Sequence, residues 1–142
     1  MKLITSDEQR VLEIGTNNYL FCFYSTVYVN LAKKYKDISL AIEFLRDGEC
    51  NGCDGYIIAR QFNLIRDRLS NLDVSKIVYD MTDPKKKAPW INNISFVVTS
   101  CGNFFITSEG KDLIFEISSI LCYAKVKNVD VYIKEWSIFE HY

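Results

Sequence analysis

The hydrophobic side chains of residues 58–72 recur with the period of an α-helix. They step by four, three, four and three residues, and the charged residues Arg60, Arg66, Asp67 and Arg68 lie elsewhere on the helix circumference. This spacing places the apolar side chains on one side of a helix and the charged side chains on the other. The pattern predicts an amphipathic helix that packs along one side. Its apolar positions are Ile58, Phe62, Ile65, Leu69 and Leu72.

Three further segments carry a helical pattern. Residues 19–35 form a long apolar stretch whose hydrophobic residues continue around the helix, which predicts a central and largely buried element. Asp37 and Gly48 are suited to begin and end a second helix. Ser108 is suited to cap a helix over 109–125, because acidic residues follow it in the first turn.

Short segments rich in β-branched and aromatic residues predict the strands. The first two are separated by a few polar residues and indicate an N-terminal hairpin or one strand with a frayed start. The last one alternates between apolar and polar residues, as a half-buried strand does. The predicted strands are 3–5, 11–14, 76–80, 94–99, 103–107 and 129–134.

The order of these elements indicates the fold class. Strands come first, then three helices, three strands, a helix and a final strand. This segregation favours an α+β fold over a doubly wound parallel sheet. We expect a mostly antiparallel or mixed sheet of about four to six strands packed against about four helices. With 142 residues, the chain fits a single domain over 1–142.

The charge balance argues against two classes of partner. Seventeen basic and eighteen acidic residues give a net charge of −1, so no overall field attracts nucleic acid or anionic lipid. The N-terminus lacks the apolar run of a signal peptide, and every later apolar stretch is interrupted before the roughly 20 residues that span a bilayer. We therefore expect a cytoplasmic protein that binds neither nucleic acid nor membrane.

Cysteine and histidine usage argues against common catalytic chemistry. The five cysteines are an odd number, and reduced thiols are the simplest interpretation. Cys50 and Cys53 have C-x-x-C spacing, but no second pair follows, so a turn carrying two thiols is favoured over a metal or redox site. The single histidine, His141, is expected in a solvated tail. The sequence thus predicts no catalytic residues, no bound metal and no cofactor.

Two aspartates keep an alternative open. Asp80 and Asp83 follow a predicted strand, where carboxylates can hold a divalent cation. Asp83 also precedes Pro84, and Asp-Pro is a good turn starter because the Asp side chain accepts a backbone hydrogen bond. The structural interpretation is favoured, and a small metal-dependent hydrolase remains the alternative.

The loop over 81–93 is a candidate binding surface. It places three lysines next to Trp90, and loops of this length are often functional. Tryptophan is enriched at the energetically dominant positions of protein interfaces. The alternative is that Trp90 folds back over the edge of the sheet while the lysines stay in water. Three lysines and one aromatic residue are too small a patch to favour nucleic-acid binding.

Five segments together resemble the bacterial immunity protein 70 family, in the expected order and over about residues 14–133. One departure lies in the long loop, where Ala88 and Ile91 replace a proline and a glycine of the family pattern; it concerns the shape of the loop. The segments are Phe23–Val27, Lys76–Asp80, Pro89–Trp90, Ile94–Ser95 and Phe105–Leu113.

The resemblance implies a protein encoded beside a polymorphic toxin, which binds the toxin domain, protects the producing cell and catalyses nothing. The expected partner is therefore the cognate toxin domain. A non-catalytic scaffold or adaptor that uses the aromatic surface is a further alternative. For a basic toxin, the candidate contacts are acidic residues around the second turn, together with two residues of the long loop: Glu43, Asp47, Glu49, Asp54, Asp83 and Trp90.

Overall fold

The computed structural model describes residues 1–89 and 95–142. Four α-helices and a four-stranded antiparallel sheet confirm the predicted α+β class. No helix in these two ranges is long and apolar enough to cross a membrane. In chain order the elements are β1 (Lys2–Thr5), β2 (Val11–Glu13), α1 (Asn17–Val27), α2 (Ser39–Asp47), β3 (Glu49–Cys50), α3 (Gly55–Leu69), α4 (Leu113–Lys127) and β4 (Val131–Lys134).

The sheet joins the two ends of the chain. Its strand order is β2-β1-β4-β3, and all neighbours are antiparallel. Leu3 of β1 lies opposite both Leu12 of β2 and Ile133 of β4, and all three side chains are buried. The predicted N-terminal hairpin is therefore confirmed. Because β1 and β4 are the two inner strands, the sheet is complete only when the C-terminal strand is in place.

Helix α1 is the central helix that the sequence predicts, although its form differs. All residues over 20–27 are buried, as expected. The helix begins after Thr16, whose side chain accepts a hydrogen bond from Tyr19 N at 3.2 Å. It does not continue to residue 35 as one α-helix, because the wider π-helical turn Tyr28–Ala32 follows. Such turns interrupt the regular hydrogen-bond ladder.

Helices α3 and α4 pack closely in antiparallel directions. Near one end of the pair, Arg66 Nη2 lies 2.6 Å from Asp112 Oδ1. At the other end the backbones come so close that a Cβ on Gly55 would lie 2.2 Å from Leu121 O. A glycine at that position lets the first turn of α3 rest directly on the last turns of α4.

The start predicted for α4 is wrong by four residues. Asp112 is the N-cap of the helix, and its side chain accepts a hydrogen bond from Phe115 N at 2.9 Å. Ser108 lies instead in a tight turn that Thr107 and Lys111 close, with Thr107 N donating to Lys111 O at 2.7 Å. Gly110 within this turn has a φ of +80°, which an α-helix does not allow.

The predicted strand over 76–80 is also wrong. A 3-10 turn at Val74–Lys76 is followed by an extended segment that pairs with no strand in the described residues. Its backbone bonds to side chains of the α1 region instead. Thr26 Oγ1 accepts from Val78 N at 3.0 Å, and Asn30 Nδ2 donates to Lys76 O at 3.0 Å. These side chains take the place of the neighbouring strand.

The two strands predicted next are not formed either. Residues 95–98 form a turn in which Val98 N donates to Ser95 O at 3.0 Å, and residue 94 lies outside the described part. Within 103–107 the only pairing is an isolated bridge between Ile106 and Asp112. Phe104 and Phe105 are adjacent and both buried in the core, so this segment lacks the alternation of a strand with one solvated face.

The C-terminal segment is packed, which contradicts the predicted solvated tail for His141. Trp136 Nε1 donates to Leu45 O at the end of α2 at 2.7 Å. Ile138 is buried in the core, and His141 stacks on an aromatic side chain of α1. The segment thus crosses from α2 to α1 as an integral part of the fold.

Candidate protein-binding surface

Four of the predicted acidic residues come together where α2 turns into β3. Helix α2 ends at Gly48, as predicted, and Glu43 and Asp47 lie in its second half. The chain then enters β3 at Glu49, and a 3-10 turn leads through Asp54 into α3. Because this connection is short, all four carboxylates line one cleft of about 370 Å³.

A fifth carboxylate reaches the cleft from the far end of the sequence. Asp130 precedes β4, and the pairing of Glu49 with Tyr132 places this strand beside β3. Asp130 Oδ1 also accepts a hydrogen bond from Gly52 N at 3.2 Å, which holds the turn before α3. No lysine, arginine or histidine is among the described residues that line the cleft. Apolar side chains contribute to the same lining: Leu40, Phe44 and Ile58.

The only ion pair in the described residues that involves a cleft carboxylate is exposed. Arg46 Nε lies 3.1 Å from Asp47 Oδ1, and about half of each side chain is exposed. Exposed pairs of this kind contribute about 0–1 kcal/mol and are screened by salt. The pair therefore leaves most of the negative charge of the cleft uncompensated.

The thiol of Cys50 reports this negative environment. Burial, with a smaller contribution from the nearby carboxylates of Asp54 and Asp130, raises its pKa to about 12. Cys50 is consequently protonated at neutral pH, whereas nucleophilic or metal-binding cysteines are thiolates. Cys50 and Cys53 are both free thiols.

Asp83 lies away from this cleft, on an exposed turn. Its Oδ1 accepts a hydrogen bond from Lys85 N at 3.3 Å, which is the turn geometry predicted for Asp-Pro. Asp80 Oδ1 likewise accepts from Thr82 N at 2.9 Å. In ranges 1–89 and 95–142, no three His, Cys, Asp or Glu residues are grouped so that they could hold a metal ion.

One predicted contact residue cannot be placed, and two residues that line the cleft were not predicted from the sequence. Trp90 lies outside the described residues. Asp130 and Tyr132 line the cleft and were not predicted. Their place follows from the pairing of β4 with β3, which has only two residues and carries no recognisable strand pattern of its own. The alternation of apolar and polar residues over 129–134, which predicts a strand, was the sequence signal that could have pointed to these two residues.

Comparisons with known proteins identify one family. A search among curated proteins and a search among solved structures gave no match. Among protein-family models, Immunity protein 70 matches residues 4–133, which is most of the chain. This agrees with the resemblance of the five segments over residues 14–133. The chain therefore belongs to the immunity protein 70 family.

Proposed function

We propose that this protein neutralises a cognate bacterial toxin by binding its toxic domain, and that it catalyses no reaction. Membership of an immunity protein family supports the role. The proposed partner is a protein, and the proposed place of action is the cytoplasm of the cell that produces the toxin. The acidic cleft is the observation that carries this proposal, because it offers a surface to which a toxin domain can bind.

The proposed contact is a basic segment of the toxin that enters the acidic cleft. Five carboxylates without a lining cation create a strong local field on a chain whose net charge is only −1. Complementary charge steers association and selects partners. The apolar side chains of Leu40, Phe44 and Ile58 could contact the aliphatic part of a lysine or arginine side chain while the carboxylates pair with its charged group. Asp83 and Trp90 remain proposed contacts of a second region.

The first test is the affinity of the purified protein for the toxin domain encoded beside its gene, measured by calorimetry at low and moderate salt. We expect a 1:1 complex with nanomolar affinity that weakens as salt rises, because salt screens the attraction between the exposed cleft carboxylates and a basic partner. Absence of binding by the unmodified protein would overturn the proposed function.

A pair of double variants tests the cleft separately. Glu43 and Glu49 are exposed, so Glu43→Gln with Glu49→Gln removes charge without disturbing the core. We expect at least a tenfold loss of affinity, about 1.4 kcal/mol. The matched control changes two exposed carboxylates elsewhere, Asp67→Asn with Glu109→Gln. Equal affinity of both double variants would reject the cleft as the contact surface and leave neutralisation itself standing.

A further inference from the structure

A second cavity, of about 540 Å³, lies beside the π-helical turn that follows α1. Its volume falls in the range of small-molecule sites, about 300–1,000 Å³. The lining is mainly apolar and includes Val29, Val74, Ile77 and Met81. We call it the Met81 cavity. It is a different site from the acidic cleft, because no lining residue is shared.

Hydrogen bonds from the backbone to two buried hydroxyls fix one wall of the Met81 cavity. Ser25 Oγ accepts from Met81 N at 3.1 Å, and Thr26 Oγ1 accepts from Val78 N at 3.0 Å. Both side chains are fully buried in α1. The backbone over 78–81 is therefore held by the central helix of the protein, so this wall of the cavity is fixed before a ligand arrives. Binding to a preformed site avoids the cost of ordering a loop.

The charged groups that line the Met81 cavity are both cationic. Lys86 and Lys87 contribute to the lining, and no carboxylate does so among the described residues. Lys86 Nζ lies 5.5 Å from the centroid of the Tyr79 ring. Asp80 interacts electrostatically with Lys86 but does not line the cavity, and no ion pair between the two is found in the described residues. No ion pair with Lys87 is found in ranges 1–89 and 95–142.

We propose that the Met81 cavity binds a small amphipathic anion, namely a carboxylate with a medium-length alkyl chain. The alkyl chain lies against Val29, Val74 and Met81, and the carboxylate pairs with Lys86 and Lys87. Charge complementarity favours this occupant over a neutral apolar molecule, which gains no ion pair with the exposed ammonium groups of Lys86 and Lys87. The inference concerns a site apart from toxin binding and is tested without the toxin.

The chain offers a direct spectroscopic readout, because it has only two methionines. Decanoate is titrated into protein labelled with carbon-13 at the methionine methyl groups. We expect the Met81 methyl resonance to shift and saturate with one equivalent bound, whereas the Met1 resonance stays in place. Decanol, which lacks the charge, is expected to bind at least tenfold more weakly. An unmoved Met81 resonance, or equal affinity for decanol, would overturn the proposal.

Variants locate the two parts of the site. Val29 is half exposed, so Val29→Trp can fill the cavity without requiring a change in the core, and it should abolish decanoate binding. Lys86→Met with Lys87→Met should weaken decanoate binding at least tenfold. Lys85→Met is the matched control, since Lys85 is exposed in the same turn and does not line the cavity. Unchanged binding by either the filling variant or the double lysine variant would contradict the assignment.

Discussion

The imidazole ring of His141 lies flat on the phenyl ring of Phe21, with 4.0 Å between the ring centroids and 5° between the ring planes. Phe21 is buried in the central helix, and the ring of Trp136 lies 5.8 Å from the imidazole, tilted by 40°. Within the described part of the chain, His141 Nε2 is shielded from solvent and has no hydrogen-bond partner. The C-terminal segment thus ends in an aromatic stack that favours a neutral imidazole.

We expect His141→Ala to lower the free energy of unfolding by about 1 kcal/mol, which is the typical contribution of an aromatic pair. The variant loses the contact with Phe21 and leaves the strand β4 and the anchor of Trp136 intact. Urea unfolding at pH 7.5 measures the change. An unchanged midpoint would show that the last residues do not stabilise the fold. His141→Phe is the matched control, because it keeps a flat ring on Phe21.

Acidification should weaken the same contact. Burial lowers the pKa of His141 below its ordinary value of 6.5; Asp80 and Glu140 oppose this shift, whereas Lys86 adds to it. The unfolded chain therefore takes up the proton first. The contribution of His141 is fully present above pH 6.5 and decreases as pH falls from 6.5 towards the lower pKa of the folded state. Carboxylates also respond to acid, so the test compares the wild type with His141→Phe over this range. Parallel losses in both proteins would contradict the prediction.

A third prediction concerns the hydroxyl that replaces a strand partner. Thr26 Oγ1 accepts from Val78 N and donates to Cys22 O at 2.8 Å. Thr26→Val keeps the shape of the side chain and leaves the Val78 amide without its acceptor, which should cost about 1–3 kcal/mol. Hydrogen exchange at the Val78 amide measures the local effect. Thr26→Ser restores the acceptor, so protection of Val78 should be retained in that control and lost in the valine variant.

This hydroxyl also explains why the prediction of strand 76–80 failed. β-branched and aromatic residues indicate a strand because they suit a pleated, half-buried backbone. They do not identify the groups that will satisfy that backbone. Here the partners are the side chains of Thr26 and Asn30, about fifty residues earlier in the chain. No local pattern carries that information.

Elements with a single buried side were predicted well. Helix α3 shows its contact face directly in the spacing of Ile58, Phe62, Ile65 and Leu69, all of which are buried. The acidic cleft was predicted in part for a similar local reason, since its first four carboxylates lie within twelve residues, over 43–54. Asp130 was missed because it joins them only through the pairing of two strands. Local spacing thus predicts faces and turns, whereas tertiary contacts complete the sites.

A fourth prediction separates two roles of Asp112. One oxygen, Oδ1, accepts from both Phe115 N and Arg66 Nη2. Asp112→Ala removes the cap and the ion pair, and the cap alone should cost about 1 kcal/mol. Asp112→Asn keeps a good capping residue and loses the charge; the partly exposed ion pair should account for less than about 1 kcal/mol. Thermal unfolding of both variants should place asparagine between alanine and the wild type. Equal loss in both would assign the effect to the ion pair.

The last prediction concerns the close approach of α3 and α4. A Cβ at Gly55 would lie 2.2 Å from Leu121 O and 3.2 Å from Lys125 Cβ, and the nearer group is backbone that cannot rotate away. Gly55→Ala should therefore force the helices apart and cost about 3 kcal/mol, at the upper end of overpacking effects. Gly110→Ala is the control, because a Cβ there meets nothing within 4 Å and only the positive φ opposes it, at about 1–2 kcal/mol. Urea unfolding should rank Gly55→Ala below Gly110→Ala in stability. The reverse order would mean that the helix pair can shift to admit a methyl group, and that its contact is less rigid than the backbone approach at Gly55 indicates.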